Sequence, residues 1–416
     1  MQENRMFSDV KLAKRLTPAW LSPFLAVFLL IVGQIIGAIV MTISAALIIA
    51  PYYMAHPDLP DRLSDSLNLR EIFGDYYLLI TLLSFVFIAG LFFLWVKLFE
   101  KRPIVTLGFY KDNWKKELLK GFGLGILLFS IVMLILILTG SYQLVGTTFT
   151  PYAFGFVLLT FPFWLIQGGT EELVTRGWLL PVMAEKSNKI IAIVVSSSLF
   201  GLLHMFNSGF TMQSLIDLIL FGILETFYII KTDNLWGAAG IHGAWNFAQG
   251  NIFGVLVSGS TTGSSLLQFA PGSGPDWLTG GSFGAEGSIV CTLVMLVTIL
   301  ILAYHLRKSG KLFEKKSAEV AGANLQISYY AEFHERIAFC SLRSIDFSRP
   351  LLLHLKEKWI VYIRLIYSLN SKSFSPFIII YLSCCCLRRN NACQESFEHF
   401  ICSCSCFEQS ACICNC

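Results

Sequence analysis

The sequence is short of charge. Of its 416 residues only 14% are Asp, Glu, Lys or Arg, while 55% are hydrophobic. A soluble domain carries about 25% charged residues. Too little polar surface is left to clothe a water-soluble globule of this size, so a soluble fold is excluded. Basic residues are also too few and too scattered for a nucleic-acid surface: the net charge is +4, and Lys and Arg stand in short clusters between apolar runs. Cysteine is almost missing before residue 324, where Cys291 stands alone. That leaves no disulfide framework and no thiol placed beside a histidine in this part of the chain. There is no G-x-S-x-G elbow for a serine nucleophile and no H-E-x-x-H zinc helix.

What the sequence has instead is long apolar runs. A hydrocarbon core is crossed by about 20 apolar residues in a helix, and eight stretches meet or approach that length: 21–50, 77–98, 119–140, 152–184, 189–206, 212–230, 235–257 and 288–306. Basic residues cluster in 1–20, 97–120, 186–189 and from Arg307 onward, with Lys231 following the sixth run, while loops 141–151, 207–211 and 258–287 have no Lys or Arg. In 51–76, Arg62 and Arg70 are offset by five acidic residues, Asp58, Asp61, Asp65, Glu71 and Asp75. Cytoplasmic loops are enriched in Lys and Arg, so the alternation predicts an all-α, polytopic membrane protein with eight transmembrane helices and both ends of its core in the cytoplasm. The first run is far longer than a signal-peptide core and has no small-x-small cleavage site, so it reads as a retained helix. The expected location is a cell membrane, in the first instance the bacterial cytoplasmic membrane.

Composition changes near Gly322. Eleven of the 12 cysteines follow, ten of them between Cys384 and Cys416, and no stretch is long enough to span. The Cys402-Ser403-Cys404-Ser405-Cys406 pattern does not have the C-x₂₋₄-C spacing of zinc modules. The expected division is a transmembrane domain over 1–310, with its motif core at 152–257, and a disordered or non-native cytoplasmic tail over 311–416.

An ionisable group at bilayer depth costs at least ~2.5–3.5 kcal/mol, so each needs a partner or a job. They are concentrated in Glu171, Glu172 and Arg176, His204, Asp217 and Glu225, and His242 with Asn246. Residues four apart share a helix face, which pairs Glu172 with Arg176, Phe200 with His204 and His242 with Asn246. Glu171 points about 100° away from Glu172, so one carboxylate neutralises Arg176 and the other faces a cavity. Glu171 and His204 are equally far from the turn at 185–189, which puts them level; His242, much nearer its own turn at Asp233, counts out shallower. Taken singly, an intramembrane Glu–Arg pair is commonly a clamp and a buried His commonly a packing residue. Asp217 and Glu225 are left out of the chemistry.

In order, Glu171-Glu172-Leu173-Val174-Thr175-Arg176 reads EExxxR, Phe200-Gly201-Leu202-Leu203-His204 reads FxxxH, and His242-Gly243-Ala244-Trp245-Asn246 reads HxxxN. This set resembles the CPBP family of intramembrane proteases, which includes the type II CAAX prenyl endopeptidases and the Abi proteins of bacteriocin processing and immunity. The Arg102-Pro103 to Leu107-Gly108-Phe109 stretch is similar too. The resemblance implies that Glu171, assisted by His204, activates water, that His242 and Asn246 bind the oxyanion, and that Glu172, Arg176 and Phe200 support them. It favours no cofactor; the alternative is a zinc ion held by Glu171, His204 and His242. The implied partners are the lipid bilayer and a peptide or membrane-protein substrate, CAAX-like or bacteriocin-type, entering from the cytoplasmic side or the membrane plane. Two other readings are a non-proteolytic regulator or bacteriocin immunity protein of the same fold, and a small proton-relay transporter.

Overall fold

Runs of Leu, Ile, Phe and Val become helices between polar caps. The computed structural model describes residues 4–55 and 73–311. Each predicted span contains a helix: α1 Ser22–Ala55, α2 Tyr76–Glu100, α3 Trp114–Leu138, α4 Pro151–Lys186, α5 Lys189–Leu202, α6 Met212–Thr232, α7 Trp236–Phe247 and α8 Ile289–Ser309. The starts are set by side-chain caps. Thr150 accepts from Ala153 N, Asn188 from Ile191 N and Ser288 from Cys291 N, and Thr211 with Ser214 forms a capping box.

Among the described residues six helices are long and apolar enough to cross a membrane, which makes this a multi-pass membrane protein. The other two are shorter than the predicted spans. Helix α5 has 14 residues, ending at Leu202 where the chain turns instead of running on to 206. Helix α7 has 12 and continues as a π-helical turn, Ala248–Ile252. Apolar side chains point outward in stripes, as Phe24, Phe28, Ile31, Ile35 and Ile39 do on α1. Such exposure suits a hydrocarbon solvent, not water.

Helix α7 is the centre of the bundle: every residue from Gly237 to Asn251 is buried. Its Gly- and Ala-rich sequence lets neighbours approach backbone to backbone. A Cβ on Gly121 of α3 would lie 2.0 Å from Gly237 O, and one on Gly168 of α4 would lie 2.8 Å from Gly243 N.

The odd and even connections gather at opposite ends. At one end Arg5 meets Asp112 (2.9 Å), Lys311 meets Asp233 (2.8 Å) and Lys11 meets Glu185 (4.0 Å), joining the N-terminal segment, loop 101–113, two helix turns and the end of α8. Arg102, counted above with the loop charges, is instead buried there, its Nε 2.7 Å from Glu100 Oε2, while Trp178 donates to Glu100 Oε1. At the other end β1 (Tyr142–Thr147) pairs antiparallel with β2 (Leu267–Pro271), a small ribbon in loops that the sequence left without strands. Expectations about the Cys-rich tail concern residues 312–416, outside those described.

Candidate active site

Glu171 and Glu172 close the first α-helical part of α4, and the next residues, Leu173–Leu179, form a π-helical segment before the α-helix resumes at Leu180. Such insertions often mark functional sites, because the wider turn re-aims side chains. Glu172 and Arg176 are fully buried, with Arg176 Nη1 3.1 Å from Glu172 Oε1. Thr175 Oγ1 accepts from Arg176 Nη1 (2.6 Å) and donates to Glu171 O (2.6 Å). The guanidinium carbon lies 4.5 Å from the centre of the Phe200 ring.

Helix α7 brings His242 between the two carboxylates. Nδ1 lies 3.0 Å from Glu172 Oε1, and Nε2 lies 3.6 Å from Glu171 Oε2. A carboxylate accepts, so Nδ1 carries the hydrogen. Counting residues made His242 shallower than Glu171, yet they meet, because the turn before α7 is sunk into the protein: Leu235 is buried and its N–H donates to Gly108 O, and Trp236 Nε1 donates to Tyr110 O.

Two amides tie Asn246 to the same carboxylate. Gln167 Nε2 donates to Glu171 Oε1 (2.7 Å), and Gln167 Oε1 accepts from Asn246 Nδ2 (2.9 Å). The Glu171 end must receive a donor, which sets the orientation of both amides and leaves Asn246 one amide hydrogen for another acceptor.

His204 stands in the turn after α5, half-buried, its Nδ1 2.9 Å from Phe200 O. A carbonyl only accepts, so Nδ1 is the protonated nitrogen and Nε2 is the acceptor of the neutral ring. Phe200 packs against both imidazoles, its ring centre 5.0 Å from that of His204 and 5.6 Å from that of His242. All four residues expected to be catalytic, Glu171, His204, His242 and Asn246, line one cavity of about 320 Å³.

Residues 153–248 match the family model for type II CAAX prenyl endopeptidase, Rce1-like. The resemblance to the CPBP and CAAX proteases holds over that segment. It contains all three motifs, and it is a protease family, which supports a peptidase in the membrane. The chain finds no match among curated proteins or solved structures.

The same cavity holds groups that the motifs do not mention. Asp217, left out above, lines it and accepts from Thr292 Oγ1 (2.5 Å). Glu286, also lining, lies at the ribbon end and accepts from Ser258 Oγ (2.9 Å) and Ser258 N. Burial raises the carboxyl of Glu286 above its usual pKa, partly offset by the Ser258 hydrogen bonds and the nearby His204. No periodic signal marks Glu286, which sits in a loop. Gln167 was findable, since it is one turn before Glu171 on the same face. Glu225 does not line the cavity; it is buried, and among the described residues its carboxylate oxygens have no hydrogen-bond partner.

Among the described residues no three His, Cys, Asp or Glu side chains form a group that would hold a metal, the expected set of Glu171, His204 and His242 included.

Proposed function

We propose that this protein is an intramembrane endopeptidase in which Glu171 and His204 activate water and His242 and Asn246 stabilise the oxyanion. The observation that carries this reading is His242 held between Glu171 and Glu172 on the wall of a cavity that also presents His204 and Asn246. Glu171 Oε2 has no hydrogen-bond partner among the described residues, whereas Oε1 is fixed by Gln167. The fixed oxygen orients the carboxylate and the other receives a proton from water. His204 donates from Nδ1 to Phe200 O, and in its neutral form Nε2 is a second acceptor on the same cavity.

Attack of the water oxygen on the peptide carbonyl forms the tetrahedral intermediate. The free amide hydrogen of Asn246 and, in its imidazolium form, Nε2–H of His242 are donors suited to its oxyanion; one such donor is typically worth 10²–10³ in rate. Collapse of the intermediate returns the proton from Glu171 to the leaving amine. Glu172 and Arg176 hold the His242 ring, and the buried Phe200 packs the two imidazoles in place. No step uses a metal. Residues 1–310 are the unit to which this activity is assigned.

The test compares membrane and secreted peptides from cells carrying the wild-type protein and Glu171→Gln. Peptides lost from the mutant sample are the expected outcome. Full cellular function in both Glu171→Gln and His204→Ala would instead favour a binding role without hydrolysis.

A further inference from the structure

The cavity runs from the middle of the bundle, where α1 lines it with Leu30 and Gln34 and α4 with Glu171, Val174 and Thr175, toward one end. Helix α2 contributes Leu78 to Phe85, near its start, with Lys97 toward its other end. Helix α6 contributes Asp217, Leu218 and Phe221 from its first half, and Lys231 stands in its last turn. Helix α8 contributes Met295, near its start, and ends with Arg307 and Lys308. In α7 the lining residues fall in the second half, and α5 opens with Lys189 but contributes from Phe200 onward. The loop residues that line it, Ser258 to Thr262 and Glu286, come from 258–287, which has no Lys or Arg. Ser260 and Thr261 are exposed at its rim.

Every described Lys and Arg other than the buried Arg102 and Arg176 flanks the opposite helix ends. The ion pairs of Arg5, Lys11 and Lys311 join those ends into one face. Lys and Arg are retained on the cytoplasmic side of a membrane protein, and short loops carry that signal most strongly. Among the described residues the connections bear all of it on one face and none on the other, and in 51–76 Arg62 and Arg70 are outnumbered by five acidic residues.

We propose that the cavity opens on the non-cytoplasmic face. Its peptide is then one displayed across the membrane, a secreted chain or the extracytoplasmic segment of another membrane protein; of the two routes expected from the sequence, the cytoplasmic side and the membrane plane, this replaces the first. The substrate half of this statement rests on the peptidase reading; the sidedness does not.

Cysteine labelling of the full-length chain separates the two. Thr261→Cys, with Ser260→Cys as a second rim position, and Lys116→Cys on the basic face are exposed to a membrane-impermeant maleimide. Right-side-out and inside-out vesicles are compared, and mass spectrometry assigns the modified residue so that the native cysteines do not interfere. The expected result is rim labelling in right-side-out vesicles that is lost in inside-out ones, with the reverse for Lys116→Cys. Rim labelling only in inside-out vesicles, labelling of both positions from one face, or no rim labelling from either face would overturn the proposal. The same pattern is expected in Glu171→Gln protein. If labelling is as expected but no peptide differs between wild type and Glu171→Gln, only the peptidase reading falls. Differences confined to cytoplasmic peptides would overturn the sidedness.

Discussion

His242 stands between two adjacent residues of one helix, its Nδ1 3.0 Å from Glu172 and its Nε2 3.6 Å from Glu171. Glu172 also holds Arg176, so the two carboxylates divide their work: one is neutralised and structural, the other lines the cavity.

Removing the cavity carboxylate tests that division. Glu171→Gln keeps the size of the side chain and can still accept from Gln167 at its carbonyl oxygen. Loss of general-base assistance is expected to lower turnover by about 10²–10⁴-fold, while the melting temperature in detergent stays within experimental error of wild type. A large loss of stability would contradict the assignment.

The buried pair is expected to behave in the opposite way. Arg176→Met leaves Glu172 buried opposite no cation, and breaking such a pair from one side costs about 3–5 kcal/mol. Thermal unfolding in detergent should show a clear fall in midpoint, and Glu172→Gln a smaller one because the acceptor oxygen facing His242 and Arg176 can remain.

Gln167 is a positioning residue, joined to Glu171 at 2.7 Å and to Asn246 at 2.9 Å. Gln167→Leu should lower kcat by up to about 10²-fold through misplacement of both groups. Gln167→Glu should also fail to rescue, since it sets a carboxylate against Glu171. Steady-state kinetics of each variant, with the melting temperature as control, decides this.

Glu286 lies outside the spanning helices, and burial raises its pKa in the folded protein above the ordinary 4.5. An acid whose folded pKa is raised favours the folded state at low pH, and that contribution is lost as pH rises from about 4.5 through the folded value. Glu286→Gln keeps an acceptor for Ser258 and does not titrate. Its melting temperature relative to wild type should therefore increase with pH across that window; a flat difference would rule out the linkage.

Close packing of α7 gives a purely steric expectation. A Cβ on Gly121 would sit 2.0 Å from Gly237 O, so Gly121→Ala forces α3 away from the central helix. Overpacking of this kind typically costs about 1–3 kcal/mol, readable as a lower melting temperature, with activity reduced only as α7 shifts.

Much of this was written in the order of the residues. Apolar runs of membrane length, caps at their ends and basic clusters on alternate connections act locally, so composition and spacing determined the helices and their alternation. The pairing of Glu172 with Arg176 followed from a separation of four, which the helical period alone places on one face. The meeting of His242 with Glu171 did not follow, because depth between helices depends on where a turn sits, and the turn at Leu235 is drawn inward by Gly108 and Tyr110. Asp217 and Glu286 joined the cavity for the same reason: only the packing of separate segments brings a helix start and a loop to one wall, and no period in the chain encodes that distance.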